Sequence, residues 1–137
     1  MADPIKLIRQ ALETTLINLQ PSVPTAIEGV DFDPPAGLYQ RCQLLIRQPD
    51  DIVLGTQYYR ENVDFQVFVV APSGLGLGEG LDQAVRVRNA FPKGWYMQQG
   101  EVSLRGLKTP QIGSTMPADG KVVIPVTIRL TCEVMRP

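Results

Sequence analysis

The chain has 137 residues, of which 44% are hydrophobic and 20% are charged, and its formal net charge is −1. This length and composition predict a single globular domain over residues 1–137, which buries roughly two thirds of its unfolded surface and needs no disulfide or metal to fold. The near-equal numbers of basic and acidic residues, 13 and 14, argue against a strongly cationic protein that binds nucleic acid tightly without sequence preference.

The first predicted element is an N-terminal helix. Asp3 can cap it, and Pro4 suits the first helical position because its missing N–H would have no partner there. Apolar residues then recur at helical spacing on one face: Ile5, Ile8, Leu12, Leu16 and Leu19. Ile17 falls on the polar face, where a subunit contact is one explanation. Pro21 and Pro24 end the helix.

A long antiparallel hairpin is predicted next. After short strand and turn signals, in which Pro34 and Pro35 form a rigid turn, strands are expected over residues 39–48 and 58–71. Alternation places one apolar set on the inward face: Cys42, Leu44, Ile46, Val63, Phe65, Val67 and Val69. The tip of this hairpin, residues 49–57, is expected to project beyond the body of the domain.

A second helix is predicted over residues 81–91, after a glycine-rich segment. Its apolar arc is Leu81, Ala84, Val85, Val87 and Phe91. Arg88 lies within that arc, so it either reaches the rim of the core or forms a specific ion pair. Short strands are expected over residues 95–97 and 101–104. Residues 106–120 are predicted to be a long loop, and because such loops are uncommon in compact domains, we expect it to order against a neighbouring chain.

The final segment, residues 121–134, gives the clearest strand signal. Seven apolar residues recur at a spacing of two: Val122, Ile124, Val126, Ile128, Leu130, Cys132 and Val134. Pro125 on the outward face cannot donate a hydrogen bond, which predicts an edge position or a bulge near the start. The elements together predict two helices and several strands, among them a long hairpin that projects.

The residues needed for common catalytic and cofactor chemistry are missing from this sequence. It contains no histidine and no Gly-x-Ser-x-Gly elbow. Its glycine run fails the dinucleotide-binding pattern at Glu79 and Leu81, and it lacks the Lys followed by Ser or Thr that a phosphate loop requires. Cys42 and Cys132 fall at inward strand positions and are predicted to be buried thiols rather than a disulfide. No signal peptide or membrane span is predicted either, because no long apolar run occurs. We therefore predict no enzyme, no cofactor and no metal site.

A small enzyme or ligand-binding domain remains an alternative of a different class. It would require a pocket in which polar side chains converge. The candidates for such a pocket are Asp31, Asp33, Arg60 and Arg88.

Several weak motifs, in their order and spacing, indicate a family. They are the segment from Ile27 to Tyr39, with its Gly-Val-Asp-Phe-Asp-Pro-Pro core; Leu54-Gly55 and Arg60; the strand from Phe65 to Val69; the glycine run with the helix ending in Ala90-Phe91; and Val126-Thr127-Ile128. In this order they resemble the tail terminator, or tail completion, proteins of long-tailed bacteriophages, of the lambda minor tail protein U group. The resemblance extends over nearly the whole chain.

The resemblance implies an α+β fold: a mixed, mostly antiparallel β-sheet with two α-helices packed on it, and a long β-hairpin and loops projecting. It also implies a structural virion protein located in the neck region of the tail and assembled in the host cytoplasm. Such proteins form a hexameric ring of identical subunits on the tail tube protein, end tube polymerisation and provide a joining surface for the head–tail connector. Genome DNA passes through the ring without sequence-specific binding, and no membrane is involved. The alternative within the virion is a tail tube subunit, a head-closure protein or another minor tail protein.

A ring closed by rotation needs two different contact patches on each subunit. We expect contact residues in the hairpin, in the 106–120 loop and on the outward face of the last strand. The candidates are Asp50, Asp51, Ile52, Tyr58, Tyr59, Arg60, Lys108, Ile112, Met116 and Arg129.

Overall fold

A computed structural model describes residues 3–51, 58–74 and 76–135. Within these ranges the chain forms two α-helices and one eight-stranded sheet, which confirms the predicted α+β class. The helices are α1 (Pro4–Leu19) and α2 (Gly78–Ala90). The strands are β1 (Thr25–Ala26), β2 (Tyr39–Ile46), β3 (Tyr58–Pro72), β4 (Tyr96–Gln99), β5 (Val102–Gly106), β6 (Gln111–Ile112), β7 (Met116–Ala118) and β8 (Lys121–Met135).

The sheet is built around its two longest strands, β3 and β8. Each has 15 residues, and they pair antiparallel along their whole length. The strand order is β1-β2-β3-β8-β5-β4, with β6 and β7 also paired to β8. Only the two-residue β1 runs parallel to its neighbour among the pairs described, so the sheet is mixed and mostly antiparallel, as predicted. The predicted hairpin is β2 with β3. Residues 52–57 of its tip lie outside the described residues.

Both helices pack on one face of the sheet, which we call the inner face. Asp3 caps α1 as predicted, its Oδ1 accepting from the Ile5 N–H at 2.8 Å. The alternating apolar side chains of β3 and β8 point to this face and form the core with the helices. The largest fully buried apolar side chains are Ile8, Leu12, Leu16, Val63, Phe65, Phe91, Leu104, Ile124, Ile128 and Leu130. Ile46, which was predicted to point inward, is 52% exposed because β2 ends there.

Helix α2 is rotated relative to the predicted arc. Leu81 and Val85 are 38% and 43% exposed, so their predicted inward placement is wrong. The helix instead turns Gly80 and Gln83 toward the sheet. A Cβ at Gly80 would lie 2.8 Å from Cδ1 of Ile124, so the missing side chain is what permits this close approach.

Pro125 lies inside the sheet, so the first predicted alternative, an edge position, is wrong. The second, a bulge near the start, agrees with the shift of one residue in register between the Ile112–Val126 and Met116–Val123 pairs. Pro125 pairs with Phe68 of β3 on one side, and its carbonyl accepts from the Gly113 N–H at 2.8 Å on the other. The missing N–H of Pro125 points to this second side, because the N–H and C=O of one residue in an antiparallel strand face the same neighbour. There the partner is interrupted between β6 and β7. The break in the partner strand therefore accommodates the proline.

Residues 106–120 do not form a structureless loop. They contain β6 and β7, which pair with β8 of the same chain, so this segment is ordered without a neighbouring subunit. Ser73 holds the end of the segment, with both its N–H and its hydroxyl donating to the Gly120 carbonyl. Arg88 donates from Nε to the Pro110 carbonyl at 3.1 Å and forms no ion pair among the described residues. Its role is to hold this segment against α2.

The free edge of β2 is capped by a side chain. Beyond the short β1, the Leu44 N–H donates to Glu28 Oε1 at 3.1 Å. The same carboxylate accepts from Arg9 Nη1 of α1 at 2.7 Å. The hydrogen bond from Arg9, followed by that from Leu44, holds the pKa of Glu28 below its usual value. This contact ties α1 to the edge of the sheet.

We expect Glu28→Gln to lower the free energy of unfolding at neutral pH by at most about 1 kcal/mol, because the carboxylate is 44% exposed and solvent screens it. Since the pKa is lower in the folded than in the unfolded state, this contribution is present above the ordinary value of 4.5 and is lost as the pH falls through the folded value. Urea unfolding at neutral pH and below the folded-state pKa measures the difference, which should shrink in acid.

The matched control for this prediction is Glu101→Gln. Glu101 is exposed and has no ion pair within the described ranges. Equal losses of stability in the two variants at neutral pH would contradict the role of Glu28.

Candidate functional site

The outer face of the sheet lies opposite the helices, which leave it uncovered. It carries the odd-numbered side chains of β2 and β8 and the even-numbered side chains of β3, as the strand register shows. One end of this face is apolar and the other is charged.

The apolar end is a small second cluster that the sequence analysis missed. It consists of Phe32, Tyr39, Phe68, Val70 and Val123. The rings of Phe32 and Tyr39 lie 5.5 Å apart, the guanidinium of Arg41 lies 5.2 Å from the Phe68 ring centre, and the ammonium of Lys121 lies 4.8 Å from that of Tyr39. The signal was the unbroken apolar run of residues 67–71, which is typical of a strand covered on both faces.

At the charged end, β3 and β8 hold a polar network near the hairpin tip. Asp50 and Arg60 form an antiparallel bridge with two backbone hydrogen bonds of 2.8 Å. Arg60 Nη2 donates to Glu133 Oε1 at 3.3 Å, and Asn62 Nδ2 donates to Asp50 Oδ2 at 2.9 Å. Desolvation, followed by a hydrogen bond with Glu133, raises the pKa of Tyr58. This network, which we call the hairpin base because residues 52–57 of the tip are connected to it, is therefore a defined structure.

Two adjoining clefts, of about 300 Å³ and 120 Å³, lie further along the charged end and share Arg129. We call them together the basic cleft, and its charged and apolar lining includes Arg47, Asp64, Leu107, Lys108 and Arg129. Arg47 pairs with Asp64 at 3.4 Å. Lys108 and Arg129 are exposed and have no ion pair among the residues described. The basic cleft therefore offers free positive charge in a chain that is almost neutral overall.

The structure separates the ten candidate contact residues into groups. Those on the outer face by strand register are Tyr58, Arg60, Met116 and Arg129. Lys108 lines the basic cleft, and Asp50 and Asp51 are exposed next to the hairpin base. Tyr59 and Ile112 are partly buried and pack against the core, and Ile52 lies outside the described residues.

The other groups that could support chemistry stay apart or are buried. Cys42 and Cys132 are buried free thiols, as predicted, and burial raises the pKa of each to about 12. Among the described residues, no three His, Cys, Asp or Glu side chains gather as a metal site. Neither helix in the described ranges is long and apolar enough to span a membrane.

The chain is similar to known proteins in sequence and in structure. A family model described as phage tail terminator protein matches residues 7–130. A solved structure whose name carries no function is 26% identical, covers 99% of both chains and has a TM-score of 0.75. A chain from the virion of a native gene transfer agent particle is 15% identical, covers 97% of this chain and 99% of its own, and has a TM-score of 0.68, which shows a shared fold. No curated protein matches the sequence.

Proposed function

Because the chain belongs to the phage tail terminator family, a family of tail structural proteins, we propose that it forms a hexameric ring at the head-proximal end of the phage tail tube. There it ends tube polymerisation and gives the head connector a surface to join. The protein assembles in the host cytoplasm and remains in the neck of the virion. Genome DNA passes through the ring without sequence-specific binding.

The observation that carries this proposal, beyond the family itself, is the open outer face of the sheet. The helices protect only one side of a rigid pair of 15-residue strands. The other side presents free cations, exposed polar side chains and shallow clefts. Such a face suits protein contacts more than small-molecule chemistry, which favours enclosed pockets with converging polar groups.

A subunit that sits between a tube and a connector needs contacts on several sides. The hairpin base around Asp50, Tyr58 and Arg60 and the β7 region around Met116 lie at opposite ends of β3 and β8. We propose that these two ends meet different partners, one the tail tube protein and the other the connector. The lateral edges of the sheet and the outer face then remain for neighbouring subunits.

The mass of the purified protein in solution tests the ring. Light scattering after gel filtration, over a range of concentrations and with negative-stain images, should give closed rings of about six subunits that do not grow, because a contact closed by rotation satisfies every patch. Open-ended tubes would contradict the terminator role and indicate a tube subunit. A monomer at all concentrations, also in the presence of the tail tube protein, would contradict ring formation.

A further inference from the structure

The loop between β1 and β2 carries a compact acidic projection, residues 28–33, which we call the acidic loop. Asp31 and Asp33 are exposed and have no ion pair among the described residues. Between Glu28 and Asp31, Val30 is 63% exposed, the most exposed large apolar side chain among those described. The acidic loop therefore presents an apolar tip next to two free carboxylates.

This loop is held in shape by its own contacts. The Val30 N–H donates to the Ile27 carbonyl at 3.1 Å, and Gly29 has a φ of 82°, which a residue with a side chain adopts only with strain. Phe32 packs against Tyr39, and Glu28 is fixed by Arg9. A projection that is already ordered loses little conformational entropy when it binds.

The basic cleft has the complementary features. Leu107, 46% exposed, lines the larger cleft beside Arg129, and Lys108 lines the smaller one. The cleft thus combines an exposed apolar side chain with two free cations, as the acidic loop combines Val30 with two free carboxylates. Its larger part, about 300 Å³, has room for a valine side chain.

The acidic loop does not contact the basic cleft of its own chain. Phe32 fixes the loop to the end of the outer face where Tyr39 and Val123 lie. Glu28 accepts from the Leu44 N–H of β2, and β3 lies between β2 and β8, so two strand spacings, roughly 10 Å, separate this edge of the sheet from β8, which carries Arg129. No hydrogen bond or ion pair of the described residues joins the loop and the cleft. Both surfaces therefore stay available for a second copy.

We propose that the acidic loop of one copy docks into the basic cleft of the next, with Val30 against Leu107 and with Asp31 and Asp33 facing Lys108 and Arg129. This inference rests on the proposed ring, for which it supplies the subunit contact. Two different patches of each subunit take part, so the contact is head-to-tail and can close by rotation. The net charge of −1 favours this contact between copies, because the acidic loop and the basic cleft attract each other while two whole subunits repel each other only weakly.

Two charge-reversed variants test the docking. One is Asp31→Lys with Asp33→Lys, and the other is Lys108→Glu with Arg129→Glu. Each alone places like charges together at every contact, so we expect the concentration for half-assembly to rise at least about tenfold. An equimolar mixture should recover assembly, because alternating variants restore opposite charges at every contact of a ring with an even number of subunits.

The matched control carries Asp82→Lys with Glu101→Lys. These two exposed acids lie outside both patches, and their reversal changes the net charge by the same amount as reversal of the acidic loop. We expect the control to assemble like the unmodified chain. Assembly of the unmodified chain should also weaken as the salt concentration rises, because exposed charges are screened beyond about 10 Å at 0.1 M salt.

A carbodiimide cross-link supplies a readout that does not require stable rings. It joins the Lys108 amine to a nearby carboxylate, and mass spectrometry of mixed isotope-labelled and unlabelled protein identifies links between copies. We expect links from Lys108 to Asp31 or Asp33.

Failure of the mixture to recover assembly, or links only to other carboxylates, would overturn the docking and leave the ring in place. Open-ended tubes with recovery in the mixture would overturn the terminator role and leave the docking in place. A monomer without links between copies would overturn both.

Discussion

Phe91→Ala should lower the free energy of unfolding by about 3–5 kcal/mol, the largest loss we expect from a single substitution in this chain. Phe91 is fully buried where α2 ends. Its ring packs edge-on against Phe65 of β3 at 6.2 Å and against Trp95 at 5.0 Å. Removing it leaves a cavity between the helix, the sheet and the turn that leads into β4, and none of these can collapse without breaking its own hydrogen bonds.

Urea unfolding followed by circular dichroism measures this loss. The matched control is Phe68→Ala, which removes the same side chain from the partly exposed cluster on the outer face. We expect the control to lose less than half as much stability, because solvent and the Arg41 side chain can fill part of the space. Equal losses would mean that Phe91 does not join the helix to the core as described.

The strands β3 and β8 were predictable because their apolar residues alternate over a length at which chance alternation is rare. That alternation fixes which face is buried, and a shift of one residue in the register would turn every apolar side chain outward. The ends of α1 were equally clear, since Asp3, Pro4 and Pro21 are local signals. Both cases depend on short-range chemistry that a sequence carries directly.

The predictions were wrong where contacts between segments that are distant in the sequence decide the local structure. The strands within residues 106–120 are two and three residues long, and they exist because β8 offers a partner. The rotation of α2 is set by the contact of Gly80 with Ile124 and by the burial of Gln83. A search for apolar residues at helical spacing does not select a buried glutamine. No pattern within a single segment contains either cause.

The candidate contact residues show a different limit. Tyr58, Tyr59 and Arg60 were chosen together, yet consecutive residues of a strand point to opposite faces. The register places Tyr58 and Arg60 on the outer face and Tyr59 on the inner one. Strand geometry alone could have made this division. The clustering of Lys108 with Arg129 could not be derived in that way, because it depends on how the segment after β5 continues along the edge of β8.

Gln83→Leu should cost about 2–3 kcal/mol of stability, because it leaves buried polar atoms without partners. Gln83 and Gln40 are both fully buried among core residues. Gln83 Nε2 donates to Gln40 Oε1 at 3.0 Å, and Gln40 Nε2 donates to Thr25 Oγ1 at 3.0 Å. Arg86 Nη1 donates to Gln83 Oε1 at 2.6 Å. This series of hydrogen bonds joins α2 to the edge of the sheet, and each buried amide has the next residue of the series as its hydrogen-bond partner.

The double variant Gln40→Leu with Gln83→Leu separates this network from simple packing. Replacing both partners by apolar side chains of similar volume removes the unsatisfied groups, while Thr25 and Arg86 can turn to water because neither is fully buried. We therefore expect the double variant to be more stable than the sum of the two single losses implies, by at least about 1 kcal/mol in a double-mutant cycle. Additive losses would show that each glutamine contributes through packing alone. Losses that are not additive would mean that the two amides together fix the position of α2 against β1 and β2. The acidic loop, which we propose joins one subunit to the next, lies beside these strands.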